Sequence, residues 1–121
     1  MAAHLIHLAS AGTAELGAFE PKATALTDGI QEASREVWSA DSLEVGVWEA
    51  TPGTFTAFRD EYHEVCQILS GSVTITSEGG RGVLVGAGDT VVMPAGWKGR
   101  WEVHETVRKT YVILSGVDNA V

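Results

Sequence analysis

The chain has 121 residues, a formal net charge of −8 and 45% hydrophobic residues. That suits one domain with its own core, is too apolar for a disordered chain, and is too acidic for partnership with nucleic acid or an anionic membrane surface. One cysteine cannot close an internal disulfide and fits a reducing compartment. With no apolar run near the roughly 20 residues of a bilayer span and no basic region ahead of the short apolar start, the expected location is the cytoplasm.

In chain order, residues 3–8, Ala-His-Leu-Ile-His-Leu, suit either a short strand, of the kind that covers an open sheet edge on a second copy, or a frayed tail. Residues 10–35 are loop-rich, marked by Gly12, Gly17, Pro21 and Asp28-Gly29, and residues 30–37 suggest a helical turn. Residues 1–40 therefore read as an N-terminal arm or edge strand, and residues 41–121 as the folded barrel. Ser42 to Ala50 alternates, with Leu43, Val45 and Val47 on one face and Glu44, Gly46 and Trp48 on the other. After Thr51-Pro52-Gly53 come short strands at residues 54–58, 64–69, 72–77, 83–85 and 90–93, with a tight turn at Ser70-Gly71. Pro94-Ala95-Gly96 is a further turn, proline fixing one φ and glycine accepting a positive one. Strands at residues 100–104 and 107–114 follow. Eight to ten short strands from residue 42 onward predict an all-β barrel or jelly roll.

The second half of the chain carries a resemblance. Gly88, five residues, Pro94, one residue and Gly96 have the spacing of the second cupin motif, and Glu64, six residues and Gly71 match part of the first. The run from Gly88 to Ile113, GDTVVMPAGWKGRWEVHETVRKTYVI, resembles small single-domain cupins of the ureidoglycine aminohydrolase-like group. The likeness covers about residues 44–114. It implies an RmlC-like jelly roll, the cupin double-stranded β-helix, here with an N-terminal arm.

That resemblance also implies a metal held by histidines and a glutamate, and this chain departs from the pattern. The first-motif histidines fall on Phe58 and Asp60, or on Ala57 and Arg59 with the longer spacing. The second-motif histidine falls on Gly99, so Glu64 alone remains of four ligands. No metal is therefore expected. The alternative is a divalent transition metal on Glu64, His63, His104 and water, which needs a bulge because neighbouring residues in a strand face opposite ways.

What remains is polar and aromatic. The resemblance aims Glu64 into the barrel and places Lys109 and Tyr111 on a strand that can face the cavity. A buried carboxylate and a buried ammonium need each other, so a Glu64–Lys109 ion pair is expected. The candidate catalytic residues are Glu64, Lys109 and Tyr111, and the candidate substrate-binding walls are Trp101, Trp48 and Trp97. Such a pocket suits a small molecule with an amine and a carboxylate or ureido group, and the resemblance points to C–N chemistry on a ureido or amino compound. The alternative is a filled barrel, with the same residues as core in a non-catalytic sensor or partner domain. Cys66 reads as a small buried hydrophobe, Asp60-Glu61 as a solvated loop, Trp38 as packing for the arm, and Arg100, Glu102 and Arg108 as an outward charged face. The expected partners are a small-molecule ligand and a second copy in a homodimer.

Overall fold

The computed structural model describes residues 3–120. They form eight antiparallel strands and no helix: β1 (Glu20–Pro21), β2 (Gln31–Ala40), β3 (Leu43–Ala50), β4 (Gly53–Phe58), β5 (Tyr62–Ser77), β6 (Gly82–Gly86), β7 (Thr90–Met93) and β8 (Lys98–Ser115). The all-β jelly roll is the fold the sequence predicts.

Two long strands organise it. β5 and β8 pair antiparallel along nearly their whole length, from Tyr62 opposite Ser115 to Ser77 opposite Gly99. Where a tight turn was expected at Ser70-Gly71, β5 instead bends without breaking. The register shifts between Ile68 and Val73, and Gly71 takes a φ of 85°. A Cβ at that position would run into the Thr106 carbonyl of β8. Bulges of this kind re-aim side chains: Glu64, Cys66 and Ile68 are buried before the bend, Val73 and Ile75 after it. The expected pair of strands at residues 100–104 and 107–114 is likewise one bent strand, β8.

The bend lets each long strand serve two halves of the sheet. The second half of β8 carries β3, which continues to β2 and β1, and the first half of β5 carries β7. The first half of β8 carries β4, and the second half of β5 carries β6. Odd-numbered β8 residues from Trp101 to Tyr111, Glu105 apart, and the inward residues of β3, β4 and β5 meet in one core that includes Ile30, Trp48, Phe55, Ile68, Val73, Trp101 and Val107. The Pro94–Trp97 turn closes with Trp97 N–H donating to the Pro94 carbonyl at 2.9 Å, Gly96 holding a φ of 95°.

Several expectations fail in and around the N-terminal region. Residues 3–8 make no strand within one chain and are largely exposed. The suggested helical turn at residues 30–37 is strand β2, because pairing with β3 over eight positions outweighs the helix preference of its Glu, Gln and Ala content. Arg108 is no simple outward charge. Its Nε donates to Glu49 Oε1 at 2.9 Å, and its Nη1 donates to the Ala11 and Ala14 carbonyls at 3.0 and 2.8 Å, pinning the arm to the sheet. Trp38, expected to pack the arm, stands 39% exposed.

Candidate functional site

The strand register puts the site together. Glu44 and Glu64 face Ile113 from either side, Gly46 and Cys66 face Tyr111, and Trp48 and Ile68 face Lys109. Glu64, Lys109 and Tyr111, distant in sequence, therefore occupy neighbouring rungs on the inner face. Gly46 makes the layer possible, since any Cβ there would overlap the Tyr111 ring and hydroxyl.

Glu64 is the hub. Lys109 Nζ donates to its Oε2 at 2.7 Å, and Arg59 Nε lies 3.1 Å from its Oε1. The Arg59 contact is electrostatic rather than a directed hydrogen bond, because its N–H is off line and Nε lacks a hydrogen-bond partner among the described residues. Cys66 Sγ–H donates to Oε2 at 2.8 Å. Burial pushes the Glu64 carboxyl up, but Lys109, Arg59 and the donated hydrogen bonds outweigh it, and the net pKa lies below the ordinary value of 4.5. Burial, with the Glu64 charge beside it, pushes the Cys66 thiol up to about 12 against the attraction of Lys109. That thiol is a donor, not a nucleophile.

Lys109 is fixed by more than the carboxylate. Its Nζ sits 4.5 Å from the ring centroids of both Trp48 and Trp101, and desolvated cation–π contacts of this type contribute about 2 kcal/mol. Trp48 and Trp101 meet edge to face at 5.8 Å, and Phe55 stacks on Trp101 at 6.0 Å. Tyr111 Oη donates to Glu44 Oε2 at 2.7 Å. Burial and the adjoining Glu44 raise the Tyr111 pKa, so it stays a protonated donor.

These groups line a cavity of about 320 Å³ that also takes in Lys22, Ser34, Glu44, Arg59 and Tyr62. Four of the aromatic and charged candidates, Glu64, Lys109, Tyr111 and Trp48, stand on its wall beside the fifth, Trp101. Trp97 does not. Its Nε1 donates to Ser77 Oγ at 2.8 Å, and its ring lies 5.9 Å behind the Arg59 guanidinium. Arg59 and Glu44 are wall residues that sequence reasoning left out of the site. Arg59 lies in the charged stretch after β4, and it falls on a family ligand position under the longer motif spacing. Glu44 shares the strand parity of Trp48, which was the available signal.

A model of the EutQ-like cupin domain matches residues 39–111. The chain belongs to the EutQ-like cupin family. Among solved structures, it resembles EutQ of Clostridium difficile, with a TM-score of 0.69 at 19% identity over 88% of this chain and 85% of that one. A Pseudomonas syringae protein of unknown function gives 0.68 at 26% identity over 82% of this chain, which spans 43% of that protein's length. A Thermotoga maritima protein is 38% identical over 54% of this chain and 73% of that one, with a TM-score of 0.51. No curated protein matches.

The donor set of this cupin does not fit the metal of its superfamily. The two Glu64 oxygens already face an ammonium and a guanidinium. His63 turns away and accepts the Ala95 N–H at 2.8 Å on Nδ1, while His104 Nε2 bonds Thr74 Oγ1 at 2.7 Å on the outer surface. The combination of Glu64, His63 and His104 thus does not converge, and no group of three or more potential ligands forms among the described residues. At Gly99 even a Cβ would collide with the Thr76 carbonyl and the Trp97 ring, so this backbone has no room for an imidazole there.

Proposed function

We propose that this protein is a small-molecule-binding cupin in which side-chain cations take over the electrostatic work of a metal. The observation that carries this reading is the Glu64 carboxylate, held between Lys109 Nζ at 2.7 Å and Arg59 Nε at 3.1 Å. A cavity of about 320 Å³, with aromatic walls and a few convergent polar groups, is of the usual kind for a small ligand. The ligand class is a compact amino or ureido compound bearing a carboxylate, a reading supported by the likeness to ureidoglycine aminohydrolase-like cupins. Glu64 is ionised and Tyr111 protonated near neutral pH, because their pKa values move in opposite directions. General acid–base work favours a pKa near the working pH, so the pair suits holding a ligand better than moving its protons.

A thermal-shift screen of amino acids, ureides and small acids tests the reading. A binder at 100 times its Kd raises stability by about 2.7 kcal/mol, and a screen without any hit refutes it in favour of a filled barrel. Elemental analysis of untagged protein should find less than about a tenth of an equivalent of transition metal, against the near-full occupancy of a tight site.

The proposed assembly is a homodimer. Val65, Val92, Val112 and Leu114 form an exposed apolar patch outside the barrel beside half-buried Leu43, while Leu5 and Ile6 of the arm stand 89% and 52% exposed. A second copy would cover both. Light scattering should return twice the chain mass, and Val112→Glu should return the monomer. The single free cysteine, Cys66, is buried, which suits a reducing compartment, and the cytoplasm is the proposed location. No helix among the described residues is long and apolar enough to cross a membrane.

A further inference from the structure

The charges on the cavity wall do not all cancel within the protein. Lys22, Arg59 and Lys109 face Glu44 and Glu64. Lys22 is drawn off by Glu32 at 3.1 Å. Lys109 is consumed by Glu64 and its two indoles. That leaves two groups with capacity to spare. Arg59 shares an already neutralised carboxylate, and its terminal guanidinium nitrogens have no hydrogen-bond acceptor among the described residues. Its side chain is nonetheless only 10% exposed. Glu44 has the Tyr111 hydroxyl and no cation within ion-pair distance among the described residues. Arg59 is buried and Glu44 half-buried, and a charge withdrawn from water without enough partners is costly.

The two groups reach the cavity from different elements. Arg59 sits on the Glu64 carboxylate of β5. Glu44 belongs to β3, and the register places Ile113 of β8 between Glu44 and Glu64. Two strand spacings put the Glu44 and Glu64 backbones about 10 Å apart. Phe55, Trp48 and Trp101 supply apolar wall in the same cavity.

We propose that the cavity is bipolar and selects a zwitterion, with Arg59 reading the ligand carboxylate and Glu44 reading its ammonium or another N–H donor. This inference rests on the small-molecule reading above and makes it specific. Arg59 offers the planar fork that matches a carboxylate. Glu44, already oriented by Tyr111, keeps free lone pairs for a cationic donor. A simple acid would leave Glu44 without a cation, and a simple amine would leave Arg59 without an anion. Glu44 and Arg59 thus determine specificity, whereas Lys109 fixes the Glu64 carboxylate between them.

The test is calorimetric titration of wild type, Arg59→Gln, Arg59→Lys and Glu44→Gln with three matched series: unbranched ω-amino acids, carboxylic acids and amines of graded chain length. Circular dichroism first establishes that each variant is folded. Arg59→Lys keeps the charge and serves if Arg59→Gln does not fold. Wild type should bind one length of amino acid at least tenfold tighter than the acid or amine of that length. Arg59→Gln should lose about 10- to 100-fold for amino acids and acids and leave amines unchanged, the range expected for a charged hydrogen bond. Arg59→Lys should lose less. Glu44→Gln, which can still accept from Tyr111, should lose amino acids and amines and spare acids. Equal binding of the three series, or equal losses in the Arg59 and Glu44 variants, overturns the bipolar cavity while leaving a small-molecule site standing. Binding of no series at any length refutes both the inference and the reading beneath it.

Discussion

The ion cluster makes a prediction whose sign reverses with background. In Lys109→Met the Glu64 carboxylate keeps Arg59 at 3.1 Å and loses the 2.7 Å bond from Nζ. The methionine stem can still fill the slot between Trp48 and Trp101. The loss of one charged hydrogen bond, about 1.5–3 kcal/mol, and of the cation–π contacts, about 2 kcal/mol, is largely offset because an ammonium no longer has to be desolvated, a cost of several kcal/mol. The net cost should be about 1–2 kcal/mol. Glu64→Gln is worse, because it leaves an ammonium and a guanidinium buried with no counter-charge. Breaking a buried pair in that way costs about 3–5 kcal/mol. In the Glu64→Gln background, however, Lys109→Met removes one of two mutually repelling cations and should restore stability. The same substitution is therefore destabilising in wild type and stabilising in the variant, with a coupling of about 2–3 kcal/mol. Urea unfolding followed by tryptophan fluorescence reads this directly, since two of the indoles flank Lys109, and an unchanged m-value assigns the midpoint shifts to stability. If Lys109→Met destabilised both backgrounds by the same amount, Glu64 and Lys109 would be independent and the account of the hub would be wrong.

Three more outcomes follow from the same geometry. The Glu64 pKa is lower folded than its ordinary value of 4.5, so the unfolded chain takes up the proton first as pH falls. The stability margin of wild type over Glu64→Gln should be full at pH 6 and shrink progressively below about pH 4.5, read by denaturant midpoints; a margin that grew on acidification would contradict the sign. With its thiol pushed up to about 12 and buried, Cys66 should resist iodoacetamide in native protein at pH 8 and react at once in urea; ready labelling of the folded form would show that the thiol is not held as described. Gly99→His, which restores the second-motif residue by sequence, should lower the melting temperature and bind no zinc, because its Cβ meets the Thr76 carbonyl; stoichiometric zinc in that variant would show that the backbone yields more easily than the contact implies.

Much of the fold could be read from the sequence, for reasons that lie within each strand. The alternation of β3, the turn chemistry of Pro94–Gly96 and the shared parity of Lys109 and Tyr111 are local properties, set by a period of two and by which residues accept a positive φ. The Glu64–Lys109 pair followed from the cupin resemblance, which aims both side chains inward, together with the cost of burying either charge alone. Where a decision depended on another strand, the sequence was silent or misleading. Ser70-Gly71 has the composition of a turn, and only the approach of Thr106 shows that it is a bulge inside one strand. Gln31–Val37 has helical composition, and only the edge offered by β3 makes it a strand.

The site divides along the same line. The sequence, through its cupin resemblance, supplied the carboxylate hub, the missing histidines and the inward strand carrying the ammonium, because motif spacing marks the family's positions and parity keeps Lys109 and Tyr111 on one face. Tertiary structure alone decided that Arg59 folds back from the loop after β4 onto Glu64, that Trp97 backs this arginine instead of lining the cavity, and that Glu44 is left facing it without a cation. A residue in a loop has no parity to inherit. Its direction comes from what the packed strands leave open and from where an opposite charge is already fixed, and both exist only after the β5–β8 ribbon has bent over on itself.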